Sequence, residues 1–295
     1  MRRLPPILTP LLVVLATLLL ASPAVAQRPP CQPCAGVRVD DPAAILDSLA
    51  AAPSLAAEAR LYVAWDVSTT SPGSSEMAGQ LEAAGATPWP VMRLTTPAPL
   101  TQHLTELERE LEVLATVAAS TGARGHVQID WRPAGAPLTV EHATDLGFLI
   151  KRAAVTVTGA NASARVIVGP LPLDAELLRA VYAEDVAPYV DGIAVLPGAD
   201  DGIAAMKSAV DELDPGRPLV LDSLEMPETA SLALARAADA AENDLAITFF
   251  KADSDVDLTP LTLLANEFMG DISIDPYSVP TGATEAWSYV SGEDF

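Results

Sequence analysis

The feature that most constrains the fold of this chain is a regular alternation of two kinds of segment. Short apolar runs rich in Val, Ile and Leu are typical of buried β-strands, and longer segments rich in Ala, Leu and Glu with a helical period are typical of amphipathic helices. The eight predicted strands are residues 36–40, 60–67, 90–94, 126–130, 165–169, 191–196, 218–222 and 245–250. The predicted helices lie near residues 42–58, 75–85, 98–121, 139–158, 172–187, 200–213, 228–242 and 258–268.

Eight strand–helix units in about 240 residues suit an α/β fold with a single (β/α)8 TIM barrel. The runs are apolar throughout, as expected for parallel strands that are covered on both faces. The alternative is an open doubly wound sheet, which should carry a glycine-rich phosphate turn after an early strand, and the chain has no such motif. We therefore predict a barrel over residues 36–269 and a C-terminal tail or cap at 270–295. If residues 36–40 were not a strand, the short run at 271–275 would have to be the eighth.

Residues 1–26 have the pattern of a secretory signal peptide. Arg2 and Arg3 give a positive start, an apolar run follows at residues 11–20, and Ala-Val-Ala at 24–26 matches a signal-peptidase site. An uncleaved membrane anchor is the alternative, although this run is shorter than the ~20 residues that a membrane-spanning helix needs. The sequence thus predicts a secreted or periplasmic protein with no membrane partner after cleavage.

The two cysteines, Cys31 and Cys34, form a Cys-x-x-Cys motif in a Pro-rich lead at residues 27–35. A thioredoxin-like redox site would place the motif at a helix start after a strand, whereas here it precedes a predicted strand. A haem attachment would need His in place of Ala35, and a zinc site would need a second ligand pair. We favour a small local disulfide formed after export. No cofactor or metal is predicted.

The charge of the chain argues against one class of partner. It carries 17 basic and 39 acidic side chains, a net charge of −22. Nucleic-acid binding depends on clustered Lys and Arg that neutralise phosphates, and the three lysines, Lys151, Lys207 and Lys251, are scattered. We expect no nucleic-acid partner.

The residues at the C-terminal ends of the predicted strands form the candidate site, because a barrel of this type places its chemistry at that face. This rim combines carboxylates, cations and two tryptophans, with no histidine. Its candidate residues are Trp65, Asp66, Arg93, Asp130, Trp131, Arg132, Asp222, Ser223, Glu225 and Lys251. Exposed indole rings beside carboxylates suit sugars, so the predicted partner is a polysaccharide or oligosaccharide. The alternative for the two tryptophans is that they only fill the top of the barrel.

Four blocks of the second half carry a more specific pattern. They are residues 129–133 (IDWRP), 166–171 (VIVGPL), 190–197 (VDGIAVLP) and 217–223 (RPLVLDS). Their order and spacing resemble the retaining glycoside hydrolases of the large TIM-barrel clan, particularly those like family 39. That resemblance implies an acid/base glutamate after the fourth strand and a nucleophile after the seventh. Carried over position by position, these roles fall on Arg132 and Ser223.

These departures imply that the ordinary hydrolytic mechanism is lost. Retaining hydrolysis needs two carboxyl groups ~5–5.5 Å apart. Arg132 cannot usefully donate a proton near neutral pH, because an arginine pKa lies above ~12, and Ser223 is a poor nucleophile without a nearby His or Lys base. The resemblance, with its departures, therefore implies a secreted, catalytically degenerate barrel that binds or scaffolds a polysaccharide.

The alternative is an active retaining-type glycosidase or transglycosidase that uses displaced carboxylates, Asp130 with either Glu225 or Asp222. Neighbouring residues of a strand point to opposite faces. If Arg132 faces the barrel axis, Asp130 does so too, whereas Asp222 on a regular strand points outward to the helices. A structural alternative for Asp130 and Arg132 is an ion pair that locks the top of the barrel.

Overall fold

Eight parallel strands close into a barrel in sequence order. A computed structural model describes residues 34–51, 61–67, 74–122, 125–198, 200–226 and 245–252, together with 258 and 261. The strands are β1 Cys34–Val39, β2 Leu61–Val67, β3 Thr87–Leu94, β4 His126–Trp131, β5 Arg165–Leu171, β6 Gly192–Val195, β7 Leu219–Glu225 and β8 Ile247–Ala252. All eight predicted strands are confirmed, so the chain is a single (β/α)8 TIM barrel.

The contact between β1 and β8 closes the barrel and settles the strand order. These strands pair in parallel from Cys34 with Ile247 through Val39 with Ala252. The first predicted strand is therefore real and begins two residues earlier than predicted, at Cys34. The alternatives of an open sheet, and of an eighth strand supplied by residues 271–275, are both wrong.

Six α-helices are described between the strands. They are α1 Ala44–Ala51, α2 Ser74–Ala83, α3 Leu104–Ser120, α4 Ala143–Ala160, α5 Ala175–Tyr182 and α6 Asp200–Leu213. Helix α3 shows why they form: Leu107, Leu111 and Leu114 recur at helical spacing and are buried against the barrel. Helix α5 begins later than predicted because Asp174 caps it, accepting hydrogen bonds from the backbone N–H groups of Glu176 and Leu177.

Several predictions fall outside the described residues. They are the signal peptide at 1–26, most of the lead at 27–35, the helix at 228–242, most of the helix at 258–268, and the tail at 270–295. Among the helices that the structure describes, none is both long enough and apolar enough to cross a membrane.

The barrel interior is filled in layers along its axis. Near the N-terminal end, the rings of Trp89 and His126 stack 4.5 Å apart, and Tyr62 and Phe249 meet Trp89 edge-on. Gly36 makes room for this cluster, since a Cβ there would clash with the Phe249 ring. The interior is therefore a packed core, and any site must lie above it, at the C-terminal mouth.

Candidate functional site

Strands β1 to β4 and β7 bring charged side chains together at the mouth of the barrel. Arg38 on β1 lies with one terminal nitrogen 2.6 Å from Asp222 Oδ2 on β7 and pairs through the other with Asp66 on β2. Asp66 also pairs with Arg93 on β3, at 2.6 Å. Arg93 Nε lies 3.3 Å from Asp130 Oδ2 on β4.

The chain of ion pairs ends just after β4. Arg132 Nε donates to both oxygens of Asp130, at 3.0 and 3.1 Å. The structure thus contains the predicted Asp130–Arg132 ion pair as the last link of a longer chain. We call the six residues Arg38, Asp66, Arg93, Asp130, Arg132 and Asp222 the ionic chain; its three arginines and three aspartates alternate and carry no net charge.

Every carboxylate oxygen of the ionic chain contacts an arginine nitrogen or accepts a hydrogen bond from the protein. Asp222 also accepts hydrogen bonds from two donors that are not arginines. Gln128 Nε2 donates to Oδ2 at 2.9 Å, and the Ser223 hydroxyl donates to Oδ1 at 2.9 Å. Gln128 also accepts from Trp89 Nε1 at 2.7 Å and donates to the carbonyl oxygen of Gly169 at 3.0 Å. It therefore joins the ionic chain to the packed layer beneath it.

Two aspartates of the ionic chain are buried, while two of its arginines are partly exposed. The side chains of Asp222 and Asp130 are 0% and 2% exposed, whereas those of Arg93 and Arg132 are 37% and 43% exposed. Burial alone would lower the pKa of Arg38, but the adjacent carboxylates of Asp222 and Asp66 outweigh it and raise that pKa. Arginine in this setting is a permanent cation.

The orientation predicted for Asp222 is wrong. On a regular strand it would point outward, but the pairing of β7 with β8 shifts register between Leu221 and Leu224, and Ser223 has a positive φ of 63°. This bulge turns the Asp222 carboxylate into the barrel, where it meets Arg38. Asp130 faces inward as predicted.

The prediction of exposed aromatic faces is also wrong. Trp65 is 4% exposed and Trp131 is 2% exposed. Trp131 lies on the outer face of β4, where its Nε1 donates to the carbonyl oxygen of Thr96 at 2.8 Å. Both indole rings are hidden from solvent, so neither offers a stacking surface to a sugar.

The last two candidates lie beside the ionic chain without being part of it. Glu225 and Lys251 are register partners on β7 and β8 and are both exposed. Lys251 is also the register partner of Arg38 on β1. It lies two residues beyond Phe249, which faces the interior, so it belongs to the same inward row at the rim.

Two central residues of the site, Arg38 and Gln128, were missed at the level of sequence. Arg38 interrupts the apolar run GVRVD, and a charged side chain inside a buried strand is seldom tolerated unless it is paired. That interruption was the available indication. Gln128 lies two residues before Asp130 and so shares its inward face.

Cys34, the first residue of β1, is disulfide-bonded. Its predicted partner Cys31 lies outside the described residues, and their pairing stays a prediction. Within the described ranges, no group of three or more His, Cys, Asp and Glu side chains is arranged to hold a metal ion.

The chain matches no protein-family model and no curated protein. Among solved structures it is similar to a GH53 catalytic domain from Ignisphaera aggregans, with 12% identity and a TM-score of 0.51, covering 78% of this chain and 86% of that one. It is also similar to a GH30 endoxylanase from Clostridium papyrosolvens, with 8% identity and a TM-score of 0.50. A probable tagatose 6-phosphate kinase from Sinorhizobium meliloti gives 13% identity and a TM-score of 0.50.

In the last two comparisons the match covers 75% of this chain but 65% of the other. At such identities these likenesses show the fold alone: a TIM barrel of the kind that glycoside hydrolases share with other enzymes.

Proposed function

We propose that this protein is a secreted, glycosidase-like barrel that does not hydrolyse its ligand and instead binds or scaffolds a polysaccharide or oligosaccharide at the C-terminal mouth. The observation that carries the proposal is the ionic chain, because it commits all three inward aspartates to arginine. The barrel fold that the chain shares with glycoside hydrolases supports a carbohydrate ligand, and the C-terminal face is where such barrels bind.

The ionic chain leaves no inward carboxyl group suited to donating a proton. To act as an acid, Asp130 or Asp222 would have to carry a proton on an oxygen that already accepts a hydrogen bond. Protonation would disturb that bond and remove a negative charge that faces the arginines of the ionic chain, which is costly in a low-dielectric interior.

The same contacts argue against Asp222 or Asp130 as the nucleophile. A carboxylate nucleophile must direct a free lone pair at the sugar, and the oxygens of Asp222 are fully buried and bound by Arg38, Gln128 and Ser223. Asp130 is equally occupied by Arg93 and Arg132.

A second candidate function is retained hydrolysis or transglycosylation by Asp130 with Glu225 or Asp222. The exposure of Glu225 at the rim favours it, since the described contacts do not engage this carboxylate. Glu225 alone is insufficient, because the reaction requires a pair of carboxyl groups with separate roles.

Because both rim indoles are buried, binding in the proposed site relies on hydrogen bonds to sugar hydroxyls. Asp66, Arg93 and Arg132 are 33%, 37% and 43% exposed and offer charged acceptors and donors. Hydrogen bonds with an ionised partner are stronger than neutral ones.

The experiment that tests the proposal incubates the purified protein with a broad panel of cell-wall and biofilm polysaccharides. Reducing-sugar release and pull-down are measured on the same samples. We expect binding without release, weakened in Arg132→Gln and unchanged in Arg152→Gln, which removes an equally exposed arginine from the outer face of α4.

Release of reducing sugar that disappears in Asp130→Asn and Glu225→Gln would overturn the proposal and establish the second candidate. Absence of both binding and release across the panel would overturn both carbohydrate functions. Trp131→Ala is unsuitable as a binding variant, because it would open a cavity in the core.

A further inference from the structure

We infer that the mouth of the barrel selects a short saccharide that carries a negatively charged group, a carboxylate or a phosphate, and that Arg132 and Arg93 receive this group together. The inference deepens the proposed function and rests on it. It follows from how the donors of the ionic chain are shared between the buried aspartates and the solvent.

Among the described residues, Arg132 makes contacts through one of its three nitrogens. Its Nε donates to both oxygens of Asp130, and for its two terminal nitrogens the described part of the chain provides no hydrogen-bond acceptor. The side chain is 43% exposed. The paired N–H groups of a guanidinium match the geometry of a carboxylate or phosphate in a bidentate contact.

Arg93 presents a second donor at the same place. Its Nε is bound to Asp130 and one terminal nitrogen to Asp66, while the other terminal nitrogen has no acceptor among the described residues. Arg93 and Arg132 each lie within 3.3 Å of the same Asp130 oxygen. Two guanidiniums fixed by one buried carboxylate therefore adjoin each other, pre-ordered to receive a single anionic group.

The ionic chain is neutral as a whole, but its arginines and its aspartates are not equally accessible to solvent. Two of its three carboxylates are almost fully buried, whereas two of its three arginines are more than one-third exposed. Lys251 adds an exposed cation to the rim and Glu225 an exposed anion. A ligand that enters from solvent meets the cationic side of each pair formed by Asp130.

The net charge of the whole protein limits the size of such a ligand. A protein of charge −22 repels a long polyanion that lies along its surface. Screening reduces that repulsion beyond about 8 Å at physiological ionic strength, whereas direct contacts are screened much less. The site is thus suited to one charged group on a short saccharide or a chain end.

Calorimetric titration of the full-length protein tests the inference. The probes are trigalacturonate, its methyl ester, the neutral galactose trimer and galactose 6-phosphate, and trimers of glucuronate and mannuronate extend the uronate arm. We expect the trigalacturonate to bind at least about tenfold more tightly than its methyl ester, because a charge-assisted bidentate contact is lost on esterification. The phosphate arm shows which anionic group the site prefers.

The variants are again Arg132→Gln and its matched control, Arg152→Gln. Arg132→Gln should weaken binding of the acidic probe about tenfold and that of the ester clearly less, while Arg152→Gln should change neither. Thermal unfolding of Arg132→Gln verifies that the fold is intact.

Acidic and esterified or neutral probes that bind equally well would overturn the inference and leave carbohydrate binding in place. Failure of every acidic probe while neutral polysaccharides bind would do the same. Failure of all probes, charged and neutral, would overturn the proposed function as well.

Discussion

Arg38 on β1 and Asp222 on β7 form a 2.6 Å ion pair across the interior of the barrel, although strand β8 lies between them in the sheet. The pair is the inner end of a chain of alternating charges that spans the mouth. Asp222 is fully buried and the Arg38 side chain is 11% exposed. Asp222 therefore depends on Arg38 for its counter-charge, while Arg38 also pairs with Asp66.

Replacing Arg38 with Met should lower the free energy of unfolding by about 3–5 kcal/mol, because it leaves the buried Asp222 without its cationic partner. Equilibrium denaturation in urea measures this change. Arg152→Gln, which breaks an exposed ion pair on the outer helices, should cost less than about 1 kcal/mol. A loss below 1 kcal/mol in Arg38→Met would contradict the buried pairing.

Replacing Gln128 with Leu should lower the free energy of unfolding by about 2 kcal/mol or more. The change leaves Trp89 Nε1 and the carbonyl oxygen of Gly169 buried without their partner, and each such group costs about 1–3 kcal/mol. Chemical denaturation of Gln80→Leu is the matched control, since Gln80 is exposed on α2. Equal stabilities of the two variants would show that Gln128 does not hydrogen-bond with Trp89 Nε1 and the carbonyl oxygen of Gly169.

Two variants of Ser223 should differ in stability although both lose the hydroxyl bond to Asp222. Ser223 has a φ of 63°, where a side chain costs about 1 kcal/mol relative to glycine. Ser223→Gly should therefore be about 1 kcal/mol more stable than Ser223→Ala in thermal or urea unfolding. The reverse order would mean that residue 223 does not hold this left-handed conformation in solution.

The stability of the protein should fall as the pH rises above about 10, the ordinary pKa of tyrosine. Burial, followed by the charge of Asp214, raises the pKa of Tyr182 in the folded state. The unfolded chain then loses the phenolic proton first, so the contribution is complete below pH 10 and disappears as the pH approaches the higher folded value.

In Tyr182→Phe the decline over this pH range should be shallower, as measured by urea denaturation at several pH values. Tyr189→Phe, which alters another partly exposed tyrosine, is the control. A decline in Tyr182→Phe as steep as in the parent protein would contradict the assignment.

Much of the fold could be predicted, because it depends on local pattern. Apolar runs of five to eight residues located all eight strands, and the helical spacing of residues such as Leu107, Leu111 and Leu114 located helices between them. Closure of the barrel followed from the number of units and from runs that are covered on both faces.

The candidate site was predictable in its location and less so in its geometry. Asp66, Arg93, Asp130 and Arg132 meet at the mouth because residues at the ends of neighbouring parallel strands converge. Asp222 joins them because of one bulge beside Ser223. Where a strand is irregular, the sequence does not show which face of the strand a side chain points to. Trp65 and Trp131 are buried, and burial of a side chain beside the rim depends on tertiary packing that the sequence pattern does not give.

The sequence by itself determined the barrel, the order of its strands and the presence of charged side chains at the C-terminal ends of those strands. Only the tertiary structure decided what those residues do, because ion pairs such as Arg38–Asp222 join positions 184 residues apart. Their partners are selected by strand register, by the bulge beside Ser223 and by burial, which no local pattern of residues encodes.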